Sequence, residues 1–236
     1  MSLATWKDLC IDAVDAHRLA DFWGAALGLS VERRGDGHAV LRGDHPTETI
    51  WVNAVPEPKT VKHRVHLDVR ARSLDPLLDL GATVVAAAED TGKPWTTLAD
   101  PDGGEFCTFL RDDLPAAPPA RRYEMVVDVA DGAASEALAT WWADVLGGRV
   151  VDDGRGFWWI EDIPGLPFET IDMIPVPEPK AVKNRIHWDV DCDDVDALVG
   201  AGATVLAAPT PTTRWTVCAD PQGNEFCAFT PGGDAA

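Results

Sequence analysis

The length, composition and charge of the chain exclude several classes of protein. Its 236 residues include 39 acidic and 20 basic side chains, and the net charge of −19 argues against nucleic-acid or anionic-membrane partners, because phosphates need a basic surface. No apolar run approaches the roughly 20 residues that cross a bilayer. The first residues lack a signal-peptide core, and five cysteines form no CxxC pair. We therefore expect a cytoplasmic protein with reduced thiols.

The first predicted elements form one β-α-β-β-β unit. Residues 7–14 alternate apolar and polar side chains, as a half-buried strand does. Asp15 is placed to cap a helix, and Gly28 is placed to end it. Three short strands are predicted after this helix, over residues 30–33, 38–42 and 49–54.

The sequence of the next stretch, residues 55–69, is repeated later in the chain, over residues 176–190. Pro56 and Pro58 interrupt the preceding strand, and a new strand then carries His66 and Asp68 on one face. Identical residues stand 121 positions further on for Pro56, Glu57, Pro58, Lys59, Val61, Lys62, Arg64, His66, Asp68 and Val69. Such a repeat predicts a duplicated architecture.

The remaining pattern completes that duplication. A strand over 64–70 and a helix over 74–80 precede strands at 83–86, 95–99 and 105–110, and a Pro/Ala-rich stretch at 115–121 is predicted to be a linker. The same order of elements then recurs, with helices over 135–146 and 195–199 and strands over 185–191, 204–207, 215–219 and 225–230. We predict an α+β fold with two tandem domains, 1–114 and 122–236. Each domain would contain two βαβββ modules, which form a curved mixed sheet around a cavity.

Three repeated motifs carry a family resemblance. FWGAALG and WWADVLG follow the first strand of each domain, PEPKxVKxRxHxDV lies in the middle, and ADPxGxEFC lies at the end. With these motifs the chain resembles the vicinal oxygen chelate superfamily, which includes glyoxalase I, bleomycin-resistance proteins and extradiol dioxygenases, and most of all its glyoxalase-like domains. The resemblance implies sheets that surround a small-molecule cavity.

The resemblance also implies where a metal would bind. Its ligand positions fall on the first and last strands of the modules, and carried onto this chain they give Asp8, His66, Glu105, Glu124, His187 and Glu225. The usual last-strand glutamate is replaced by Cys107 and Cys227, with Glu105 and Glu225 two residues earlier on the same face. Glu105 and Glu225 are also the candidate catalytic carboxylates. Residues expected to line the substrate pocket are Trp51, Trp95, Cys107, Asp172, Trp215 and Cys227.

Alternative interpretations stand beside these assignments. His66 and His187 can be structural and bond to Asp68 and Asp189, while Cys107 and Cys227 can be small buried side chains. The lysines beside the proline turns are usually solvated.

Two functions therefore stay open. One is a lyase, isomerase or dioxygenase that uses zinc, iron, nickel or manganese on a small oxygenated substrate. The alternative is a metal-free protein, in which a tryptophan-lined cavity sequesters a small molecule, as in bleomycin resistance. The chain is expected to be a monomer or a homodimer.

Overall fold

The structure is a computed structural model that describes residues 2–231, and within this range it contains two eight-stranded sheets. The strands of the first half are β1 (Ala4–Ala13), β2 (Ser30–Arg33), β3 (Ala39–Arg42), β4 (Ile50–Ala54), β5 (Val65–Ala71), β6 (Thr83–Ala86), β7 (Thr96–Ala99) and β8 (Glu105–Leu110). Those of the second half are β9 (Ala120–Val129), β10 (Arg149–Asp152), β11 (Trp158–Glu161), β12 (Thr170–Pro175), β13 (Ile186–Cys192), β14 (Thr204–Ala207), β15 (Thr216–Ala219) and β16 (Glu225–Phe229). The predicted α+β class is confirmed.

The helices are few and short. They are α1 (Ala16–Leu27), α2 (Asp75–Asp79), α3 (Ala88–Thr91), α4 (Gly132–Leu146) and α5 (Val195–Gly200), with a 3-10 turn over Pro46–Glu48. Over residues 2–231, none of them has the length and apolar character that a membrane span requires.

The two long helices form where the sequence supplies caps. The Asp15 carboxylate accepts a hydrogen bond from the Arg18 amide at 3.0 Å, and Gly28 ends α1 with a φ of 71°. Both boundaries of this helix confirm the prediction. The α4 helix begins three residues earlier than predicted, because Asp131 caps it by accepting from the Ala134 amide at 2.8 Å.

The order of strands shows how the four βαβββ modules pair. Module 1 contains β1–β4, module 2 contains β5–β8, module 3 contains β9–β12 and module 4 contains β13–β16. One sheet runs β14-β15-β16-β13-β1-β4-β3-β2, and the other runs β10-β11-β12-β9-β5-β8-β7-β6. Modules 1 and 4 thus share one sheet, and modules 2 and 3 share the other. The predicted boundaries at 114 and 122 stay a prediction, because each sheet takes one module from either side of them.

The predicted linker is shorter in the structure. Its last two residues, Ala120 and Arg121, already belong to β9, where they pair with Ala71 and Arg70 of β5. The pairing of modules 2 and 3 therefore begins directly after the prolines.

The hydrophobic core lies between the sheets and the helices. Val65, Leu67 and Val69 of β5 all belong to it, and each is at most 1 % exposed. The Trp142 ring of α4 packs against Trp188 and Phe226 at centroid distances of 4.8 and 5.1 Å. Because side chains alternate along a strand, the residues between the core positions of β5 and β13 are turned to the opposite face of each sheet.

Candidate functional site: two histidine–carboxylate clusters

The first cluster lies where modules 2 and 3 meet. We call it the β5/β9 cluster, and it consists of His66, Asp68, Cys107, Glu124 and Asp172. Asp68 on β5 pairs with Glu124 on β9, while His66 and Asp172 both pair with Val126 of β9. The amide of Cys107 on β8 donates to Asp68 Oδ1 at 2.9 Å. Three adjacent strands, β12, β9 and β5, therefore deliver one imidazole and three carboxylates, and β8 beside them adds Cys107.

The second cluster lies where modules 4 and 1 meet. We call it the β1/β13 cluster, and it consists of Asp8, Cys10, Trp51, His187, Asp189 and Cys227. Asp8 and Cys10 of β1 pair with Asp189 and His187 of β13. Trp51 of β4 pairs with Cys10, and Cys227 of β16 pairs with Asp189.

The two clusters are equivalent in position but not in composition. His66, Asp68 and Cys107 of the first cluster correspond to His187, Asp189 and Cys227 of the second. Glu124 corresponds to Asp8, and Asp172 corresponds to Trp51.

This pairing corrects the expected grouping of the candidate ligands. The sequence interpretation combined residues within each half of the chain, such as His187 with Glu124. The structure instead brings His66 to Glu124 and Asp172, and it brings His187 to Asp8. The reason is that each sheet joins modules from different halves.

The β5/β9 cluster concentrates negative charge in a buried position. Burial and the neighbouring Asp172 carboxylate raise the pKa of Glu124 to about 8. Burial likewise raises the pKa of Asp172 to about 6, although its Oδ1 accepts a hydrogen bond from Thr170 at 2.5 Å. His66 Nδ1 lies 2.6 Å from Asp68 Oδ1. Burial opposes a charged imidazole here, but Asp68 outweighs it and the pKa of His66 is raised.

The β1/β13 cluster is arranged to hold less charge. Burial raises the pKa of Asp8 and of Asp189, and the neighbouring Asp8 carboxylate raises the pKa of Asp189 further. The Trp51 indole donates to Asp8 Oδ2 at 3.3 Å, and the Cys10 thiol donates to Asp189 Oδ2 at 3.6 Å. Burial lowers the pKa of His187 to about 4, so its imidazole is neutral at physiological pH.

Three ligand-type atoms of the β1/β13 cluster lack a hydrogen bond. Asp8 Oδ1, Asp189 Oδ1 and His187 Nδ1 are buried and find no partner among residues 2–231. His187 Nε2 approaches Asp189 Oδ1 only to 3.8 Å, whereas the equivalent contact in the other cluster is a 2.6 Å hydrogen bond.

The predicted catalytic carboxylates Glu105 and Glu225 have other partners. Glu105 accepts from Lys59 Nζ at 2.6 Å and from the His63 amide at 3.1 Å. Glu225 accepts from Lys180 Nζ at 2.9 Å and from the Asn184 amide at 3.1 Å. These contacts anchor the repeated segments, and two lysines expected to be solvated are paired instead. The assignment of both glutamates as ligands or catalysts stays a prediction.

Donor atoms that lie within 4.8 Å of one another form two groups in the described part of the chain. These groups are His66, Asp68 and Cys107, and Cys10, His187 and Asp189. The predicted ligands His66 and His187 each belong to one of these groups, and their assignment as metal ligands stays a prediction. Asp68, Asp189 and Cys10 were not proposed as ligands, although the His-x-Asp spacing places His and Asp on one strand face.

The thiols of Cys107, which is partly exposed, and of Cys227, which is buried, favour the protonated form. Burial and the nearby Asp68 carboxylate raise the pKa of Cys107, and burial with Asp189 raises that of Cys227. A thiolate nucleophile would need the opposite shift. The interpretation of these cysteines as small buried side chains is therefore favoured.

The predicted pocket tryptophans join aromatic groups near the clusters. The Trp95 ring lies 5.4 Å from Phe109, which lies 5.2 Å from Tyr123. The Arg70 guanidinium stands 3.7 Å from the centre of the Tyr123 ring. Trp215 stacks on Phe229 in the other sheet at 5.4 Å. Sequence analysis did not identify Tyr123 or Arg70, which lie next to Glu124 and beyond Asp68 on their strands.

Comparison with known proteins agrees with this architecture. The family described as "Glyoxalase-like domain" matches residues 8–109 and 124–229, and the chain belongs to this family. The solved structures similar to it include glyoxalase I from Zea mays, with a TM-score of 0.64 and 13 % identity over 98 % of this chain and 93 % of that one. The cppA protein from Streptococcus pneumoniae has a TM-score of 0.53 and 10 % identity, over 98 % of this chain and all of its own. At such identities the likeness shows the fold alone. No curated protein matches the sequence.

Proposed function

We propose that this protein is a divalent-metal-dependent enzyme that acts on a small oxygenated molecule at the β5/β9 cluster. The observation that carries the proposal is the convergence of one imidazole and three carboxylates, His66, Asp68, Glu124 and Asp172, from adjacent strands. Its membership of the glyoxalase-like family supports a small-molecule substrate.

The donor set fits a divalent cation. Nitrogen and oxygen donors of this kind suit zinc, iron, nickel or manganese. Without a cation, these carboxyl groups favour the protonated form, because burial raises the pKa of Glu124 and of Asp172; the next cause that raises them is repulsion from neighbouring carboxylates. A divalent ion would relieve it. His66, Glu124 and Asp172 would hold the ion, while Asp68 fixes the orientation of the imidazole through its 2.6 Å contact.

The chain's own groups then define the chemistry. A bound ion would act as a Lewis acid on the oxygens of the substrate. The carboxylates of this set are also the groups that would take up and return a proton of the substrate, as a general base and acid do. Proton transfer of this kind favours an isomerase or a lyase over a dioxygenase.

Metal analysis of matched variants tests the proposal. The protein would be stripped with a chelator, reloaded separately with Zn²⁺, Mn²⁺, Ni²⁺ and Fe²⁺, and analysed for bound metal after gel filtration. One ion per chain is expected to be retained, and His66→Ala or Glu124→Gln should weaken its binding about 10- to 100-fold. The matched controls His187→Ala and Asp8→Asn alter the equivalent positions of the other cluster and should leave this ion in place. Retention of none of the four metals would contradict the proposal.

A second candidate is a metal-free protein that binds an aromatic or drug-like molecule. The observation that favours it is the aromatic group of Trp95, Phe109 and Tyr123, which borders the β5/β9 cluster and carries the Arg70 cation on the Tyr123 ring. Quenching of tryptophan fluorescence by members of a compound library, unchanged by a chelator and lost in Trp95→Ala, would support it. An absence of quenching across a broad set would exclude it.

A further inference from the structure

The repeated segments face each other across a cleft of about 910 Å³. Apolar side chains form much of its walls, and they include Val55, Pro58, Val61, Pro179, Ala181 and Val182. No member of the β5/β9 or β1/β13 cluster lines the cleft, so it is separate from both. Its volume lies in the range of small-molecule sites, which is roughly 300–1,000 Å³.

Two arginines cross the cleft in opposite directions. Arg64 Nη1 donates to the carbonyl oxygen of Glu178 at 2.5 Å, and Arg185 Nη1 donates to that of Glu57 at 2.7 Å. Each arginine therefore holds the repeated segment of the other half of the chain. In both, Nε is buried without a partner among residues 2–231.

The charges of these two arginines are balanced differently. Arg185 Nη2 forms an ion pair with Asp102 at 3.1 Å. The position equivalent to Asp102 in the second half is Gln222, and Arg64 Nη2 donates instead to the carbonyl oxygen of Asp128 at 2.7 Å. Within the described range no carboxylate lies within 4.0 Å of the Arg64 guanidinium. Arg64 is thus a cation bound only to neutral oxygens.

The lysines of the cleft are already paired. Lys62 forms an ion pair with Asp128, and Lys183 forms one with Asp12 at 2.6 Å. Lys59 is likewise bound to Glu105. These pairs leave Arg64 as the cation of the cleft that a ligand would neutralise.

An unpaired histidine stands beside Arg64. His63 lines the cleft, is only 8 % exposed, and neither ring nitrogen has a hydrogen-bond partner in residues 2–231. A buried polar group without a partner is destabilising, and a ligand that supplies the partner recovers this cost.

The other half of the chain lacks this unpaired group. Asn184 takes the place of His63, and its side-chain amide donates to Asn224 Oδ1 at 3.0 Å. Gly104 takes the place of Asn224, and a Cβ at Gly104 would lie 2.8 Å from His63 Cε1. Gly104 therefore makes room for the imidazole. The two differences are coupled. The second half has a hydrogen bond between Asn184 and Asn224, whereas in the first half Gly104 has no side chain to bond to His63.

From these observations we propose that the cleft is a binding site for a small monocarboxylate with an apolar body. The carboxylate would contact Arg64 and His63, and the apolar body would lie on the valine and proline walls. The cleft also contains Asp12, Glu57, Asp128 and Glu178, which disfavour a dianion such as a phosphate ester. The inference does not depend on a metal in the β5/β9 cluster.

Calorimetric titration with octanoate tests this site. Octanol, which has no charge, and octyl phosphate, which has two negative charges, are the control probes. Saturable binding of octanoate, at least about tenfold tighter than either control, is expected. The His63→Asn/Gly104→Asn variant introduces the Asn–Asn hydrogen bond that Asn184 and Asn224 form in the second half. It should fold and lose most of the octanoate binding. Arg64→Gln should also weaken octanoate at least about tenfold, whereas Arg185→Gln removes an arginine that Asp102 already balances and should weaken it less.

Three results would overturn the proposal. One is no saturable binding of octanoate up to about 10 mM. Another is equal binding of octanoate and octanol, which would mean that the carboxylate is not recognised. The third is unchanged octanoate affinity in both the double variant and Arg64→Gln. The ¹⁵N shifts of the His63 ring locate the ligand independently, because they should move on addition of octanoate.

Discussion

The β5/β9 and β1/β13 clusters occupy equivalent places in two duplicated sheets, yet the first contains three carboxyl groups and the second contains two. The first combines His66 with three carboxylates, and two of these have raised pKa values of about 8 and about 6. In the second, the Trp51 indole stands where Asp172 would be, and it donates to Asp8. One side chain thus sets the number of carboxyl groups in each cluster.

The largest expected effect comes from converting the second cluster into the first. Trp51→Asp places a third carboxylate beside Asp8 and Asp189 and removes the indole donor. Leaving buried charge uncompensated costs about 3–5 kcal/mol, so we expect Tm in EDTA to fall by about 10 °C. Addition of the metal retained by the β5/β9 cluster should restore Tm and raise the bound metal from one ion per chain to two.

Trp51→Phe is the control for this conversion. It removes the hydrogen bond to Asp8 but adds no charge, so it should cost only about 1–3 kcal/mol and create no second metal site. An unchanged metal content in Trp51→Asp would show that the difference between the clusters does not lie at this position.

A smaller effect is expected from the pH dependence of Glu124→Gln. Since the pKa of Glu124 is raised from 4.5 to about 8, the folded state keeps a proton that the unfolded state loses. The stability from this proton is present below the unfolded pKa and is lost as the pH rises through about 8. Gln is neutral throughout. In EDTA, the variant's Tm should lie close to that of the parent near pH 5 and exceed it by several degrees near pH 9.

Glu105→Gln should show the opposite slope. Burial alone would raise the pKa of Glu105, but Lys59 and the His63 amide outweigh it and lower the pKa. The ionised form therefore stabilises the fold above the unfolded pKa, and that stability is lost as the pH falls through the folded pKa. The variant should melt below the parent at neutral pH, and the gap should close in acid. Parallel slopes for the two variants would refute the contrast between these glutamates.

The smallest effect concerns the thiols. Cys107 is partly exposed, whereas Cys10, Cys192, Cys218 and Cys227 are buried. A thiol reagent such as DTNB should therefore react with Cys107 first and with the other four after unfolding. Cys107→Ala should abolish the first phase. A first phase that persists in this variant would place the reactive thiol elsewhere.

Much of the fold could be predicted because its signals are local. Asp15 and Gly28 delimit α1 through contacts within one helical turn, and the alternation along β5 separates Leu67 from His66. The repeat at 55–69 made the duplication visible without any structural information.

The composition of the clusters could not be predicted in the same way. The pairing of Asp8 with Asp189 joins strands far apart in the sequence, and no local pattern specifies which module meets which. Burial and Asp172 raise the pKa of Glu124, and Asp172 comes next to it only through the β9–β12 pairing. The room for the His63 imidazole likewise depends on Gly104, a residue from another turn.

The pairing of module 1 with module 4 also determines when each sheet can be completed on the ribosome. The strands from β5 to β12 are contiguous in the chain, so their sheet can close once residue 175 has emerged. The β1 strand is synthesised first, but its antiparallel partner β13 begins only at Ile186. Throughout that interval, β1 has an unpaired edge, which is the kind of surface that attracts other chains. Within its sheet, β1 thus leaves the ribosome before the other strands and is among the last to find its partner.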